Sequence, residues 1–312
     1  MFILRWLAIP VLFGPACFAQ IGFKAECEDA KDTALKLAGR TDPDVIAAEL
    51  GLKARRCAGR VYTLLAEDAF DSGRYGDASR YVSAGIRLME AEPGNATLLV
   101  GALRIQGAIY VERGMLSEAL ALIERLKALP VDSPEQSAAV RGLTGAWYQA
   151  SGDMRNAERE YIQAIRSWDR MQRSGDAVSE RSNLGVLYLA SHRFDEAIAV
   201  LERAYALLPV SGRNSAYYRL VVTNNLTVAY SQRGDKKAAV RHAREAVSLA
   251  GASNLGRYEL TANVYSNSSG VLRASGYRKE ANELESLASR AKSMANMIVD
   301  MSDLTGARKR RR

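Results

Sequence analysis

Three asparagines recur at 42-residue intervals in the second half of this chain, Asn183, Asn225 and Asn267, and Asn224 stands beside the second. A carboxamide offers two donors and an acceptor. The chemistry open to this series is therefore hydrogen bonding to other amides, including a peptide backbone of any sequence. Asparagine is a poor residue for the middle of a helix, so its recurrence needs a reason: contact with a ligand, a bond between repeats, or both at once. No other reactive constellation is spelled out. His192 and His242 lie 50 residues apart, and read as a turn residue and a solvated helix residue. The chain has no CxxC pair, HExxH or Walker-type glycine loop. Acids such as Glu158, Glu160 and Glu202 follow solvated helical faces. The expectation is no catalytic residue, no metal, no cofactor and no enzyme.

The elements that must position the asparagines are repeats. Small residues are followed twelve positions later by alanine in the pairs Ala66/Ala78, Gly107/Ala119, Gly145/Ala157, Gly185/Ala197, Thr227/Ala239 and Ser269/Ala281. Successive alanines are 41, 38, 40, 42 and 42 residues apart. Apolar and small residues recur at three and four positions, the helical period. A turn glycine, Gly73, Gly114, Gly152, Gly234 or Gly276, sits five residues before the alanine, and His192 takes that place in the fourth unit. A left-handed residue ending each first helix explains the glycines. Each unit is then a helix, a turn and an antiparallel helix, and self-similarity at this period signals a helical array.

This pattern resembles the tetratricopeptide repeat family over roughly residues 59–291. The fourth unit carries it best, with Leu184, Gly185, Tyr188, Ala197, Leu201, Ala204 and Pro209. The last three units, with Ser182-Asn183-Leu184, Thr223-Asn224-Asn225-Leu226 and Ser266-Asn267-Ser268, are similar to the 42-residue kinesin-light-chain type. The resemblance implies an all-α, right-handed superhelical solenoid of about six helix-turn-helix repeats with capping helices before them. It also implies a concave groove that binds a protein or peptide, lined by first-helix residues. By this register the groove residues are Asn183, Asn224, Asn225, Asn267, Gln149, Arg104 and Arg273, with Val228 and Ser231 among their neighbours.

Of the formal charge of +8, Arg308, Lys309, Arg310, Arg311 and Arg312 supply five and Arg5 one, leaving +2 for residues 6–307. The basicity is a tail, which gives no ground for a nucleic-acid partner. Contact with an anionic surface, or simple solubility of the end, are its two readings. Residues 1–19 read as a secretory leader: Arg5, an apolar run, then Cys17-Phe18-Ala19 as a cleavage site. An uncleaved membrane anchor is the alternative. Cleavage would leave Cys27 and Cys57, expected to pair in an oxidising compartment, or else to be two buried thiols. The sequons at Asn225 and Asn267 fall on helix faces that packing requires, which points to a bacterial envelope rather than a glycosylating secretory route.

The sequence thus divides into a leader (1–19), capping helices (20–58), a repeat array (59–291) and a helix end with a basic tail (292–312). The expected function is an adaptor or assembly factor of the cell envelope acting through its groove. A self-assembling scaffold and a cell-wall polysaccharide-binding module are the alternatives.

Overall fold

The computed structural model describes residues 55–71, 74–90, 96–129, 133–173, 177–208, 215–252 and 258–309. Among them are twelve helices and no strand: α1 Arg55–Asp71, α2 Tyr75–Glu90, α3 Ala96–Glu112, α4 Leu116–Ala128, α5 Pro134–Ala150, α6 Met154–Arg170, α7 Val178–Ala190, α8 Phe194–Ala206, α9 Ser215–Arg233, α10 Lys236–Ala252, α11 Tyr258–Ala274 and α12 Arg278–Lys309. The leader and Cys27 lie outside the described residues, as does the side chain of Cys57, so the expected disulfide does too. The chain divides into two compact units at Asp153/Met154.

In the unit ending at Asp153, α1 packs on α2, α2 on α3, α3 on α4 and α4 on α5, while the first helices α1, α3 and α5 also touch in succession. In the unit from Met154, consecutive helices pack in order from α6 to α12, and α7, α9 and α11 form a second row of contacts. Within each unit, first helices form one layer and second helices the other. The second helices are amphipathic in the ordinary way. Helix α6 buries a stripe of Ala157, Tyr161, Ala164 and Trp168, spaced by four and three residues as a one-sided helix requires. The first helix α7 instead buries every residue from Val178 to Leu189. Each fully buried Leu or Val contributes roughly 1.5–3 kcal/mol.

One backbone device closes all six turns. The residue after the turn donates to the carbonyl five positions earlier: Arg74 to Ala69, Met115 to Tyr110, Asp153 to Tyr148, Arg193 to Tyr188, Asp235 to Tyr230 and Tyr277 to Leu272, all at 2.8–2.9 Å. This is the Schellman closure, which needs a left-handed residue at the helix end. Gly114, Gly152, Gly234 and Gly276 supply it at φ 70°, 87°, 91° and 92°, and His192 supplies it at φ 57°. The acceptor is always the aromatic-or-leucine position of the repeat or its alanine substitute. The small residues then allow close approach. A Cβ on Gly185 would lie 2.5 Å from Leu201 Cγ, and one on Gly107 would lie 2.7 Å from Leu143 Cδ2.

A cavity at the end of an asparagine ladder

The expected groove residues fall in several settings. Arg104 is buried on α3 and Gln149 is half-buried on α5, both in the unit ending at Asp153. In the other unit Asn183 lies buried on α7, and Asn224 and Asn225 lie buried on α9. Asn267 is half-buried on α11, and Arg273 is exposed there, paired with Glu285 of α12 at 2.6 Å.

The asparagines form a ladder between first helices. Asn225 Nδ2 donates to Ser182 Oγ at 3.2 Å, and Asn267 Nδ2 donates to Asn224 Oδ1 at 3.1 Å. In each rung the recurrent asparagine reaches the residue just before its counterpart one repeat earlier. A buried polar group left unbonded costs about 1–3 kcal/mol, so these bonds account for amides that helix propensity alone disfavours.

Ser266 stands where the next rung would begin, in the position of Ser182 and Asn224. Among the described residues, the helix that follows is the second helix α12, and no further first helix donates to Ser266. It opens instead into a cavity of about 620 Å³ between α9, α11 and α12. Gln232, Asn263, Asn267 and Ser289 supply polar groups to its wall, Val228, Ala262, Val271 and Ala288 supply apolar ones, and Glu285 and Lys292 stand on its α12 side. Gln232 and Ser266 are exposed here and Asn263 is half-buried, and among the described residues no hydrogen bond within the protein engages their side chains. Gly270 also faces this space, with no atom within 4 Å of where its Cβ would be. The volume lies within the ~300–1,000 Å³ of small-ligand sites. Unbonded amides and hydroxyls set among small apolar side chains suit a peptide backbone, which presents N–H and C=O at every residue.

Of the expected groove set, this cavity contains Asn267, Val228 and Ser231. Sequence reasoning missed Gln232, Asn263, Gly270 and the α12 side. Asn263 could have been found, since it lies one helical turn before Asn267 on the same face. Glu285 and Lys292 could not, because the family resemblance places groove residues on first helices and both lie on α12, a second helix.

His242, read from sequence as solvated, is buried. It stacks on Tyr230 at 5.5 Å and meets Tyr205 edge-on at 6.1 Å. Burial, reinforced by Arg241, pushes its pKa down.

These features define an all-α helical-repeat solenoid. Residues 177–252, which span α7 to α10, match the family model of the tetratricopeptide repeat. No curated protein matches the chain. Among solved structures, the chain is 19% identical to BtubC (BKLC) from P. vanneervenii, with a TM-score of 0.56 over 74% of this chain and 91% of that one. It is 10% identical to the apo form of RapI, with a TM-score of 0.57 over 87% and 99%. A Podosopora anserina putative kinesin light chain with nearly identical TPR-like repeats is 20% identical, with a TM-score of 0.48 over 65% and 99%. The first two fix the fold. Repeats of this family are generally non-enzymatic and serve protein–protein interaction or scaffolding.

Proposed function

We propose that this protein binds a partner protein by seating an extended peptide segment of it in the cavity between α9, α11 and α12. The observation that carries this reading is Ser266, the open last rung of a ladder whose earlier rungs are each filled by an amide donor. A peptide N–H supplies the same donor. Peptides selected from a displayed random library on the folded protein test it. The Asn263→Ala/Ser266→Ala variant is expected to weaken the selected peptides by about tenfold, the worth of one or two hydrogen bonds. Unchanged affinity would overturn the reading.

We place the protein in the cell envelope, as an adaptor or assembly factor. The leader-like residues 1–19 support this, and no helix among the described residues is long and apolar enough to cross a membrane. The mass of the protein recovered from an envelope fraction tests it: loss of residues 1–19 supports export with cleavage, whereas a full-length product confined to the cytoplasm contradicts it. A scaffold reading has one observation in its favour, the exposure of Leu287 and Met294 seven residues apart on α12. Light scattering that gives a monomer at micromolar concentration would remove it.

A further inference from the structure

A second cavity of about 570 Å³ lies away from the ladder, between the outer side of α10 and the turn joining α11 to α12. Four cations line it, Lys236, Lys237, Arg241 and Arg244, together with Val240 and Tyr277. Lys236, Lys237 and Arg241 are exposed, and no carboxylate among the described residues pairs with any of the three. Only Arg244 is engaged by an acid. Glu280 grips it through Nε at 3.1 Å and Nη2 at 2.8 Å, and its guanidinium lies 4.6 Å over the Tyr277 ring.

We propose that this cavity is a docking site for an acidic, extended segment of a partner protein. The cations are strung along α10 rather than gathered on one point. Lys237 to Arg241 rises about 6 Å and Arg241 to Arg244 about 4.5 Å, while alternate side chains of an extended chain repeat at about 6.6 Å. Carboxylates at every second position therefore meet successive cations, and an apolar residue between them reaches Val240 and Tyr277. A lone phosphate would call for convergent donors. A flat anionic bilayer would call for cations projecting from a plane, whereas these line a hollow. The Arg244–Glu280 pair shows that a carboxylate fits this wall in forked geometry, the arrangement in which guanidinium is most selective. Complementary charge of this kind sets partner choice and rate of encounter.

The test is an anisotropy titration at low salt with a labelled peptide of about twelve residues, alternating Glu and Ser around a central Leu. Wild type is expected to bind, and K237E/R241E to weaken binding by about tenfold. The charge-matched variant R155E/R166E, changed at exposed positions of α6, is expected to bind as wild type does. E280Q, which frees Arg244, is expected to bind two- to fivefold more tightly, about the worth of one exposed ion pair. Gly270→Phe, which fills the other cavity, is expected to leave this binding unchanged, so failure of one site is distinguishable from failure of the other. Equal weakening by K237E/R241E and R155E/R166E would overturn the proposal, because bulk charge alone would then account for binding. Site-dependent sedimentation with phosphatidylserine vesicles, in the absence of peptide binding, would replace it with a membrane contact.

Discussion

The side-chain amide of Asn267 donates to Asn224 Oδ1 at 3.1 Å, joining two helices 43 residues apart in sequence. The same reach, one repeat earlier, joins Asn225 to Ser182. Both members of the earlier rung are almost wholly buried, Asn225 at 2% exposure and Ser182 at 0%. Asn225→Ala would leave the Ser182 hydroxyl without its donor, and is expected to cost about 1–3 kcal/mol. In a double-mutant cycle with Ser182→Ala, a coupling of at least ~0.5 kcal/mol is expected. Urea denaturation midpoints check this, and simple additivity would remove the rung from the account.

Two glycines of the described first helices should respond in opposite senses to the same substitution. Gly185→Ala places a Cβ 2.5 Å from Leu201 Cγ, a branch point that cannot swing aside, and is expected to destabilise by about 1–3 kcal/mol. Gly270→Ala meets nothing within 4 Å, and is expected to stabilise by about 0.5–1 kcal/mol through helix propensity. Thermal or urea unfolding of the pair decides it. Equal shifts in one direction would show that close packing at Gly185 is not what selects glycine there.

His192 does at φ 57° what Gly114, Gly152, Gly234 and Gly276 do at their turns, and Gln172, also at φ 57°, does the same after α6. A left-handed conformation costs a residue with a Cβ roughly 1–2 kcal/mol. Gly234→Ala at φ 91° is accordingly expected to lose about 1 kcal/mol or more. His192→Gly is expected to be neutral or to gain up to about 1 kcal/mol, since relief of strain outweighs the added freedom of the unfolded chain. A loss on His192→Gly would mean that the ring contact with Phe194 at 5.7 Å matters more than the backbone.

Stability should fall on both sides of neutrality. His242 has its pKa lowered, first by burial and then by Arg241, whose Nη2 is 3.0 Å from Nε2; Glu245, 3.5 Å from Nδ1, opposes the shift. A group whose folded pKa lies below its unfolded value of 6.5 adds stability above that value and loses it as pH falls through the folded pKa. Tyr188 and Tyr230 are pushed up to about 12 by burial and by their hydrogen bonds to Glu158 and Glu202. Their contribution is full below the unfolded value of 10.0 and is lost as pH rises through about 12. Denaturation midpoints from about pH 5 to 12 check both limbs. His242→Phe is expected to flatten the acid limb and leave the alkaline one, and an unaltered acid limb would contradict the assignment.

Much of the fold was legible because it is written in backbone requirements that only certain residues meet. Left-handed turns select glycine, so Gly114, Gly152, Gly234 and Gly276 announced them, and the spacing to the next alanine exposed His192 as their substitute. The ladder was legible as a recurrence of asparagine. Its register was not, because which neighbour Asn225 reaches depends on the rotation of α9 against α7. That rotation is set by side-chain packing rather than by any motif. The basic cavity was hidden for a related reason. Lys236, Lys237, Arg241 and Arg244 lie on the solvated side of α10 and look like ordinary surface charge until the turn bearing Tyr277 folds beside them.

The most direct measurement is calorimetric titration of a library-selected peptide into wild type, Gly270→Ala and Gly270→Phe. The Phe side chain would occupy the cavity at the end of the asparagine ladder, into which Gly270 opens freely. Binding is expected to survive in Gly270→Ala and to be lost in Gly270→Phe, with the latter still folded by circular dichroism and thermal unfolding. A folded Gly270→Phe that binds the peptide as tightly as wild type would contradict that expectation.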